Sequence, residues 1–186
     1  MRVIAGELRG RRLEAPKGAT TRPTSDRVRE ATFNALTSMD ALDGAVVLDA
    51  FAGSGALGIE ALSRGAARCT FVERDRAALV ALRANLERLG LGAERAAVVT
   101  GDAVRVGGDW DLALLDPPYA FDGWERLLTS LSPAVAVCES GRPIPPPEGW
   151  VVVREKAYGA TVVTILRHDP SPAGHQAVPF PEEEPA

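Results

Sequence analysis

The feature that most constrains the fold is a series of four short apolar runs, each of which ends at or beside an acidic residue. The acids are Asp49, Glu73, Asp102 and Asp116. The run before Asp49 is continuously apolar, which is typical of a central parallel strand buried on both faces. Segments with leucines at helical spacing alternate with these runs. The sequence therefore predicts an α/β fold, with a mostly parallel sheet and helices on both of its faces.

The same patterns predict the individual elements. The predicted strands are 45–50, 69–73, 97–100, 112–115 and 134–139, followed by an antiparallel edge pair at 150–154 and 161–166 that turns at Tyr158-Gly159. The predicted helices are 25–39, 56–64, 75–89 and 122–131. A small hairpin is expected from residues 2–5 and 11–14. In such sheets ligands bind beyond the carboxyl ends of the strands, where the four acids are expected to meet.

Charge is unevenly distributed along the 186 residues. The net charge is −4, yet residues 1–30 hold eight basic and four acidic side chains. A local basic surface on an acidic protein can bind a polyanion, although a solvated charged arm is the alternative. The candidate contacts are Arg9, Arg11, Arg12, Arg22, Arg27 and Arg29. We expect three regions: a basic extension at 1–40, a central domain at 41–168 and a disordered acidic tail at 169–186.

Composition and cysteine usage argue against several other classes of protein. No run approaches the roughly 18 apolar residues of a membrane span, and the N-terminus lacks the apolar core of a signal peptide. Cys69 and Cys138 stand alone in strand-like runs, which favours buried reduced thiols over a disulfide framework or a metal site. We expect a cytoplasmic protein with neither a membrane partner nor a metal ion.

A glycine-rich turn follows the first central strand. Residues 53–58 read Gly-Ser-Gly-Ala-Leu-Gly, and Glu73 lies twenty residues past Gly53. This is a G-x-G-x-x-G pattern with an acid placed to accept ribose hydroxyls, so an NAD-dependent oxidoreductase is one hypothesis. However, Asp49 directly precedes the loop, where it would repel a pyrophosphate. Four strand-end acids favour a cationic nucleoside without phosphates, a description that fits S-adenosylmethionine.

The fourth strand ends in Asp116-Pro117-Pro118-Tyr119. The prolines stiffen the turn and lack N–H groups, so its carbonyl groups point outward. With a carboxylate on one side and an aromatic ring on the other, the turn can form a slot for a planar group that carries an amine. A rigid turn with a capping aspartate and a surface tyrosine is the alternative, and these four residues alone do not decide between them.

Residues 116–119 resemble the [Asn/Asp]-Pro-Pro-[Tyr/Phe/Trp] motif of methyltransferases that act on exocyclic amines of nucleobases. Three further segments, 2–12, 22–30 and 51–65, resemble the RsmD family of bacterial 16S rRNA (guanine-N2)-methyltransferases. The resemblance runs from residue 2 to about 167. It implies a Rossmann-like methyltransferase fold with seven strands, S-adenosylmethionine as donor, and a guanine of 16S rRNA in an assembled small ribosomal subunit as target.

The resemblance also implies roles for individual residues. The expected donor contacts are Asp49, Ala52, Gly53, Ser54, Gly55, Glu73, Asp102 and Asp116. Within that set, Glu73 would hold the ribose and Asp102 would lie near the adenine. The expected catalytic residues are Asp116, Pro117, Pro118 and Tyr119. The chain departs from the family pattern at 103–110, which is too short and glycine-rich for the usual helix, and in the abbreviated stretch 120–133.

Three other functions remain open from the sequence. A DNA adenine-N6 methyltransferase would use Asp116-Pro117-Pro118-Tyr119 in the same way, but the chain shows no separate target-recognition domain. An NAD-dependent oxidoreductase accounts for the glycine motif and leaves residues 116–119 unexplained. A non-catalytic RNA-binding or ribosome-assembly protein accounts for the basic extension alone.

Overall fold

The structure, a computed structural model, describes residues 1–16 and 26–169. Seven strands form one sheet: β1 (Val46–Asp49), β2 (Arg68–Glu73), β3 (Ala96–Thr100), β4 (Leu112–Leu115), β5 (Val135–Ser140), β6 (Trp150–Tyr158) and β7 (Thr161–His168). The helices are α1 (Asp26–Ser38), α2 (Ala56–Ser63), α3 (Arg76–Leu89) and α4 (Trp124–Leu131), with a short 3-10 helix at Ala103–Arg105. The elements agree with the sequence prediction, except that β6 continues to Tyr158 and the edge pair turns at 159–160.

The strand order is β3-β2-β1-β4-β5-β7-β6. Strands β1 to β5 pair in parallel, while β7 is antiparallel to both β5 and β6. Adjacent residues Val47 and Leu48 of β1 are both fully buried. Because successive side chains of a strand point to opposite faces, β1 must be covered on both sides. This confirms the predicted Rossmann-like sheet with an antiparallel edge.

The two faces of the sheet are covered by unequal layers. On one face α1, α2 and α3 pack over Val47, Phe71 and Leu112. On the other face α4 and the 3-10 helix pack over Leu48 and Leu115. The second layer is thin because the segment after β3 provides only three helical residues, as its length and glycine content predicted.

The N-terminal extension is fixed to the domain by hydrogen bonds from its backbone. The predicted hairpin is reduced to one antiparallel bridge, between Arg2 and Arg12. The buried carboxylate of Glu60, on α2, accepts the N–H groups of Ile4 (2.8 Å) and Ala5 (3.1 Å). The Ser63 hydroxyl, one turn later, donates to the Ala5 carbonyl and accepts from the next part of the extension. The backbone on which the Arg2–Arg12 bridge forms is therefore fixed against α2, and its exposed side chains point away from that helix's contact.

Arg29 corrects one of the sequence predictions. Its side chain is only 1% exposed, and it donates to the Arg2 carbonyl (2.5 Å) and to Asp26 (3.0 Å). The Arg29 Nε atom also lies 3.9 Å from a carboxylate oxygen of Glu60. A guanidinium held inside the protein in this way cannot contact RNA, so Arg29 is a structural residue. Arg22, also a predicted contact, lies outside the described residues, as does the tail beyond residue 169.

Two glycines of the extension provide a matched test of how it docks. Gly6 and Gly10 have φ values of 83° and 81°, so alanine at either position carries the same left-handed strain of about 1–2 kcal/mol. A Cβ at Gly6 would lie 1.7 Å from the Ser63 carbonyl oxygen, whereas one at Gly10 meets nothing within 4 Å. We expect Gly6→Ala to lower the free energy of unfolding by roughly 1–3 kcal/mol more than Gly10→Ala, measured by chemical denaturation. Equal losses would show that the extension does not dock on α2.

Candidate donor and base site

The four strand-end acids lie in a row along one edge of the sheet. Asp49 and Glu73 are the last residues of β1 and β2, Asp102 follows β3 by two residues, and Asp116 directly follows β4. Because β3, β2, β1 and β4 are successive neighbours, the acids follow one another in the order Asp102, Glu73, Asp49 and Asp116. Strand order reverses direction at β1, which has β2 on one side and β4 on the other. Such a switch point is where α/β sheets bind ligands.

Asp49 is the most perturbed acid of the row. Its side chain is almost completely buried, and this burial raises its pKa from 3.8 to about 7. The N–H of Gly58, which donates to Asp49 Oδ2 at 2.9 Å, acts in the opposite direction. The charges of Asp116 and Glu73 raise the pKa further. The structure therefore brings three of the predicted site acids close enough for their charges to repel.

The glycine loop between β1 and α2 uses its two leading glycines differently. Gly53 and Gly55 both have positive φ, 55° and 85°. A Cβ at Gly55 would lie 2.5 Å from Leu82 Cδ1, so this glycine is needed for packing on α3. A Cβ at Gly53 meets nothing within 4 Å. Gly53 is consequently the position at which the loop leaves space for a ligand to approach the backbone.

Glu73 is already heavily used as a hydrogen-bond acceptor. One carboxylate oxygen accepts the N–H of Gly53 at 2.8 Å, and the other accepts those of Arg74 (2.7 Å) and Asp75 (2.8 Å). A carboxylate offers about four acceptor positions, so about one remains. A ribose bound through both hydroxyls would have to displace one of the three backbone donors.

Asn85 is a site residue that the sequence reasoning missed. It lies on α3 and is fully buried. Its amide donates to the carbonyl groups of Ser54 (2.9 Å) and Glu14 (3.0 Å), and its Oδ1 accepts the N–H of Glu14 at 2.8 Å. One side chain thus joins the glycine loop to the N-terminal extension. The signal was available, because Asn85 is a polar residue inside the leucine stripe of the predicted helix.

The remaining predicted donor contacts lie around this loop. Ala52 and Ser54 are buried, and the Ala52 N–H donates to the carbonyl of Val72 at 3.0 Å. Asp102 is half-buried and caps the 3-10 helix by accepting the N–H of Val104 at 3.2 Å. Asp102 therefore acts as the N-cap of this short helix.

The turn at residues 116–119 is held at both ends. The Tyr119 side chain is 57% exposed, and its hydroxyl lies 3.0 Å from Thr161 Oγ1 at the start of β7. The Pro118 carbonyl accepts the N–H of Phe121 at 2.8 Å, and the Phe121 ring packs edge-on against Phe51 with 5.7 Å between the ring centroids. Phe51 opens the glycine loop, so this aromatic pair, which the sequence analysis did not select, joins the loop to the turn.

Apart from the buried Arg29, the predicted RNA-contact residues that the structure describes are on the surface. Arg9, Arg11, Arg12 and Arg27 are exposed. Arg11 also donates to the Arg88 carbonyl at 3.0 Å, and the neighbouring Glu14 forms an ion pair with Arg88. The extension therefore presents basic side chains while its backbone stays fixed to α2 and α3.

Comparison with known proteins places this site in a family. The model of the family described as Conserved hypothetical protein 95 matches residues 1–167. The chain belongs to this family. It is 36% identical over 184 residues to Ribosomal RNA small subunit methyltransferase D of Escherichia coli K12, a match that covers 91% of this chain and 90% of the relative. The resemblance to the RsmD family is confirmed.

Solved structures agree with this assignment. The yhhF protein of Escherichia coli has a TM-score of 0.80 and 37% identity, covering 91% of this chain and 98% of that one. Magnesium protoporphyrin IX methyltransferase from Synechocystis, solved with bound SAM, has a TM-score of 0.64 and covers 77% of this chain and 79% of its own. At 14% identity, that second likeness concerns the fold alone.

The described part of the chain contains neither a membrane-spanning helix nor a group of metal ligands. Within residues 1–16 and 26–169, no helix is both long and apolar enough to cross a membrane. Over the same ranges, no group of three or more histidine, cysteine or acidic side chains is arranged to hold a metal ion. Cys69 and Cys138 are both buried thiols, and burial raises the pKa of each.

The difference between the loop glycines gives a prediction about ligand binding. Gly53→Ala should lower affinity for S-adenosylhomocysteine at least tenfold, because the added methyl group fills the space beside the loop. Gly44→Ala is the matched control, since Gly44 also has positive φ (69°) and an open Cβ position but lies at the opposite end of β1. Calorimetry should show normal affinity for Gly44→Ala, with both variants losing similar stability. If Gly53→Ala binds S-adenosylhomocysteine normally, the glycine loop is not part of the donor site.

The raised pKa of Asp49 gives a prediction about stability. An acid with a pKa near 7 in the folded protein and near 3.8 when unfolded costs stability as pH rises between these values, and the full cost is present above pH 7. Asp49→Asn removes that charge and can still accept the Gly58 N–H. Relative to the native protein, the variant should therefore gain stability between pH 4 and pH 8, measured by urea unfolding. If the difference in stability between Asp49→Asn and the native protein does not change with pH, the pKa of Asp49 is not raised in the folded protein.

Proposed function

We propose that this protein transfers a methyl group from S-adenosylmethionine to the exocyclic N2 amine of a guanine in 16S rRNA. The observation that carries the proposal is the row of strand-end acids. The glycine loop follows one of these acids at the end of β1, and the turn that contains Tyr119 begins at another, Asp116. The names of the full-length relatives, which act on small-subunit ribosomal RNA, support the same reaction class.

Charge complementarity supports the donor. S-adenosylmethionine carries a permanent positive charge on sulfur, and Asp49, Glu73 and Asp116 form a mutually repelling acidic group. A cation placed among them relieves that repulsion and favours the ionised form of Asp49. S-adenosylmethionine has no phosphate, and its one anionic group, the methionine carboxylate, is offset by the ammonium group beside it.

The same geometry argues against NAD. Dinucleotide-binding folds place a pyrophosphate at the N-terminus of the helix that follows the glycine loop. Here Asp49 occupies that region and already accepts the N–H of Gly58 in the first turn of α2. A pyrophosphate bound there would be repelled by the Asp49 carboxylate, and the Gly58 N–H would not be free to donate to it.

The base would lie against Asp116 and Tyr119. Guanine N2 is a poor nucleophile because its lone pair is delocalised into the ring. If the Asp116 carboxylate and the Pro117 carbonyl accept the two N–H hydrogens, the nitrogen becomes more pyramidal and its lone pair can point at the methyl carbon. The Tyr119 ring, exposed and held by Thr161, can stack on the base, an interaction worth roughly 1–3 kcal/mol.

The transfer itself is an in-line displacement. The N2 lone pair forms the new bond to the methyl carbon while the carbon–sulfur bond breaks, and its electrons neutralise the sulfonium to give S-adenosylhomocysteine. Positive charge develops on nitrogen beside Asp116, which stabilises it electrostatically. The nitrogen then loses one proton, to Asp116 or to water. Reaching the amine requires the nucleotide to leave its stack.

The N-terminal extension would bind the RNA backbone. Arg9, Arg11, Arg12 and Arg27 are exposed, and Arg22 belongs to the same proposed set. Phosphate contacts of this kind make affinity fall steeply with salt. We propose that the substrate is an assembled or assembling small ribosomal subunit in the cytoplasm.

A DNA adenine-N6 methyltransferase is the second candidate of the same class. It would use Asp116, Pro117 and Tyr119 in the same way, because adenine N6 is also an exocyclic amine. The family relatives named for ribosomal RNA favour the first candidate. A non-catalytic ribosome-assembly protein would need neither the acidic row nor the turn.

The experiment that tests the proposal compares two acids between β4 and α4, Asp116 and Asp122. Asp116→Ala should lower methyl transfer from labelled donor to undermethylated small subunits by at least about a hundredfold, the usual cost of losing a transition-state contact, and should still bind S-adenosylhomocysteine. Asp122→Ala removes an exposed acid six residues later and should keep native activity. Native rates for Asp116→Ala would remove Asp116 from the mechanism. If the native protein itself transfers no methyl group to RNA, the proposed function is wrong.

A further inference from the structure

A second set of basic side chains lies on the edge hairpin formed by β6 and β7, next to α1. Since β7 is antiparallel to β5, and β6 is antiparallel to β7, β6 ends and β7 begins at the same edge as the strand-end acids. Thr161 opens β7, and its hydroxyl lies 3.0 Å from that of Tyr119. The tip of the hairpin is therefore attached to the proposed base slot.

Register determines which side chains of β6 share a face. Arg154 pairs with Ile165, and Lys156 pairs with Val163. Paired residues of an antiparallel ladder lie on the same side of the sheet, and both partners are buried in the core under α1, α2 and α3. Arg154 and Lys156 consequently lie on the α1 side. Both are exposed, because β6 is the outermost strand.

The two basic side chains line the approach to the slot. Lys156 places its ammonium 5.4 Å from the ring centre of Tyr158, the last residue of β6, whose partner across the ladder is Thr161. Together with Arg154 and Tyr158, it lines a shallow pocket against Ala31 and Thr32 of α1. At about 3.3 Å per residue, Arg154 lies roughly 13 Å along the strand from the tip.

The acid between the two basic residues is turned away from them. Glu155 pairs with Thr164 on the opposite face, and its carboxylate accepts the Thr164 hydroxyl at 3.2 Å. Alternation along the strand thus places both cations on one side and the intervening carboxylate on the other. The α1 side of β6 therefore presents positive charge beside the half-buried ring of Tyr158.

We propose that Arg154 and Lys156 form a second RNA-binding surface, which holds the phosphates that flank the target nucleotide. The inference rests on the proposed function and deepens it. Removing a base from its stack is easier when the backbone beside it is held, and two cations along the strand that ends near the Tyr119 slot can provide this hold. The N-terminal extension would then bind more distant phosphates, so that the RNA is held on both sides of the reacting base.

The test removes both charges with Arg154→Gln and Lys156→Gln in the full chain. Affinity for a ribosomal RNA fragment should fall about tenfold or more, and the slope of log affinity against log salt should become shallower by roughly one to two, because each phosphate contact contributes about 0.7–0.9. KM for small subunits should rise while kcat at saturating substrate and S-adenosylhomocysteine affinity stay unchanged. The swap of Arg154→Lys with Lys156→Arg keeps the charge and should retain RNA affinity.

A matched pair elsewhere controls for net charge. Arg68 and Arg167 are exposed at the opposite edge of the sheet, beside the first residues of β1 and β5, so Arg68→Gln with Arg167→Gln removes the same charge away from the slot. Equal losses for both double variants, or no loss for the β6 pair, would overturn the proposal. RNA binding is measured without methyl transfer. If the β6 pair binds normally while Asp116→Ala is inactive, only this surface is wrong.

Discussion

The site depends on carboxylates crowded at the edge of a parallel sheet. Burial and two neighbouring acids raise the pKa of Asp49 to about 7, so its ionised form is destabilised in the folded protein. The backbone compensates in part, because Gly58 donates to Asp49 and three N–H groups donate to Glu73. Without a ligand these acids hold the glycine loop in shape. A bound cation would attract these carboxylates and offset their mutual repulsion. Donor binding would therefore stabilise the fold.

The extension and the donor loop belong to one hydrogen-bonded unit. Glu60 and Ser63 of α2 hold the extension near its start, and Asn85 holds it again at Glu14. Because Asn85 also donates to Ser54, the segment that carries the exposed arginines is one side chain away from the loop that would hold the donor. On the other side, Phe51 and Phe121 connect that loop to the Asp116 turn. The two halves of the proposed site are thus held by a few specific contacts.

Much of this architecture could be predicted from sequence, because it depends on local patterns. Apolar runs and helical spacing located the strands and α-helices that the structure describes, and the acids at strand ends indicated where a ligand would bind. Contacts between distant segments could not be predicted. Arg29 looked like a surface residue until α1 was seen to bury it against Arg2 and Glu60. The role of Asn85 could not be predicted, because the fold brings it to its hydrogen-bond partners at residues 14 and 54, which are distant in sequence.

The methyl group is proposed to go to the N2 atom of a guanine, and identifying the modified nucleoside is the sharpest test of this assignment. Undermethylated small subunits would be incubated with the protein and isotopically labelled S-adenosylmethionine, and their RNA digested and analysed by mass spectrometry. The account predicts label in N2-methylguanosine, at one position of the small-subunit RNA. Label in N6-methyladenosine, in another guanosine isomer, or in no nucleoside would contradict it.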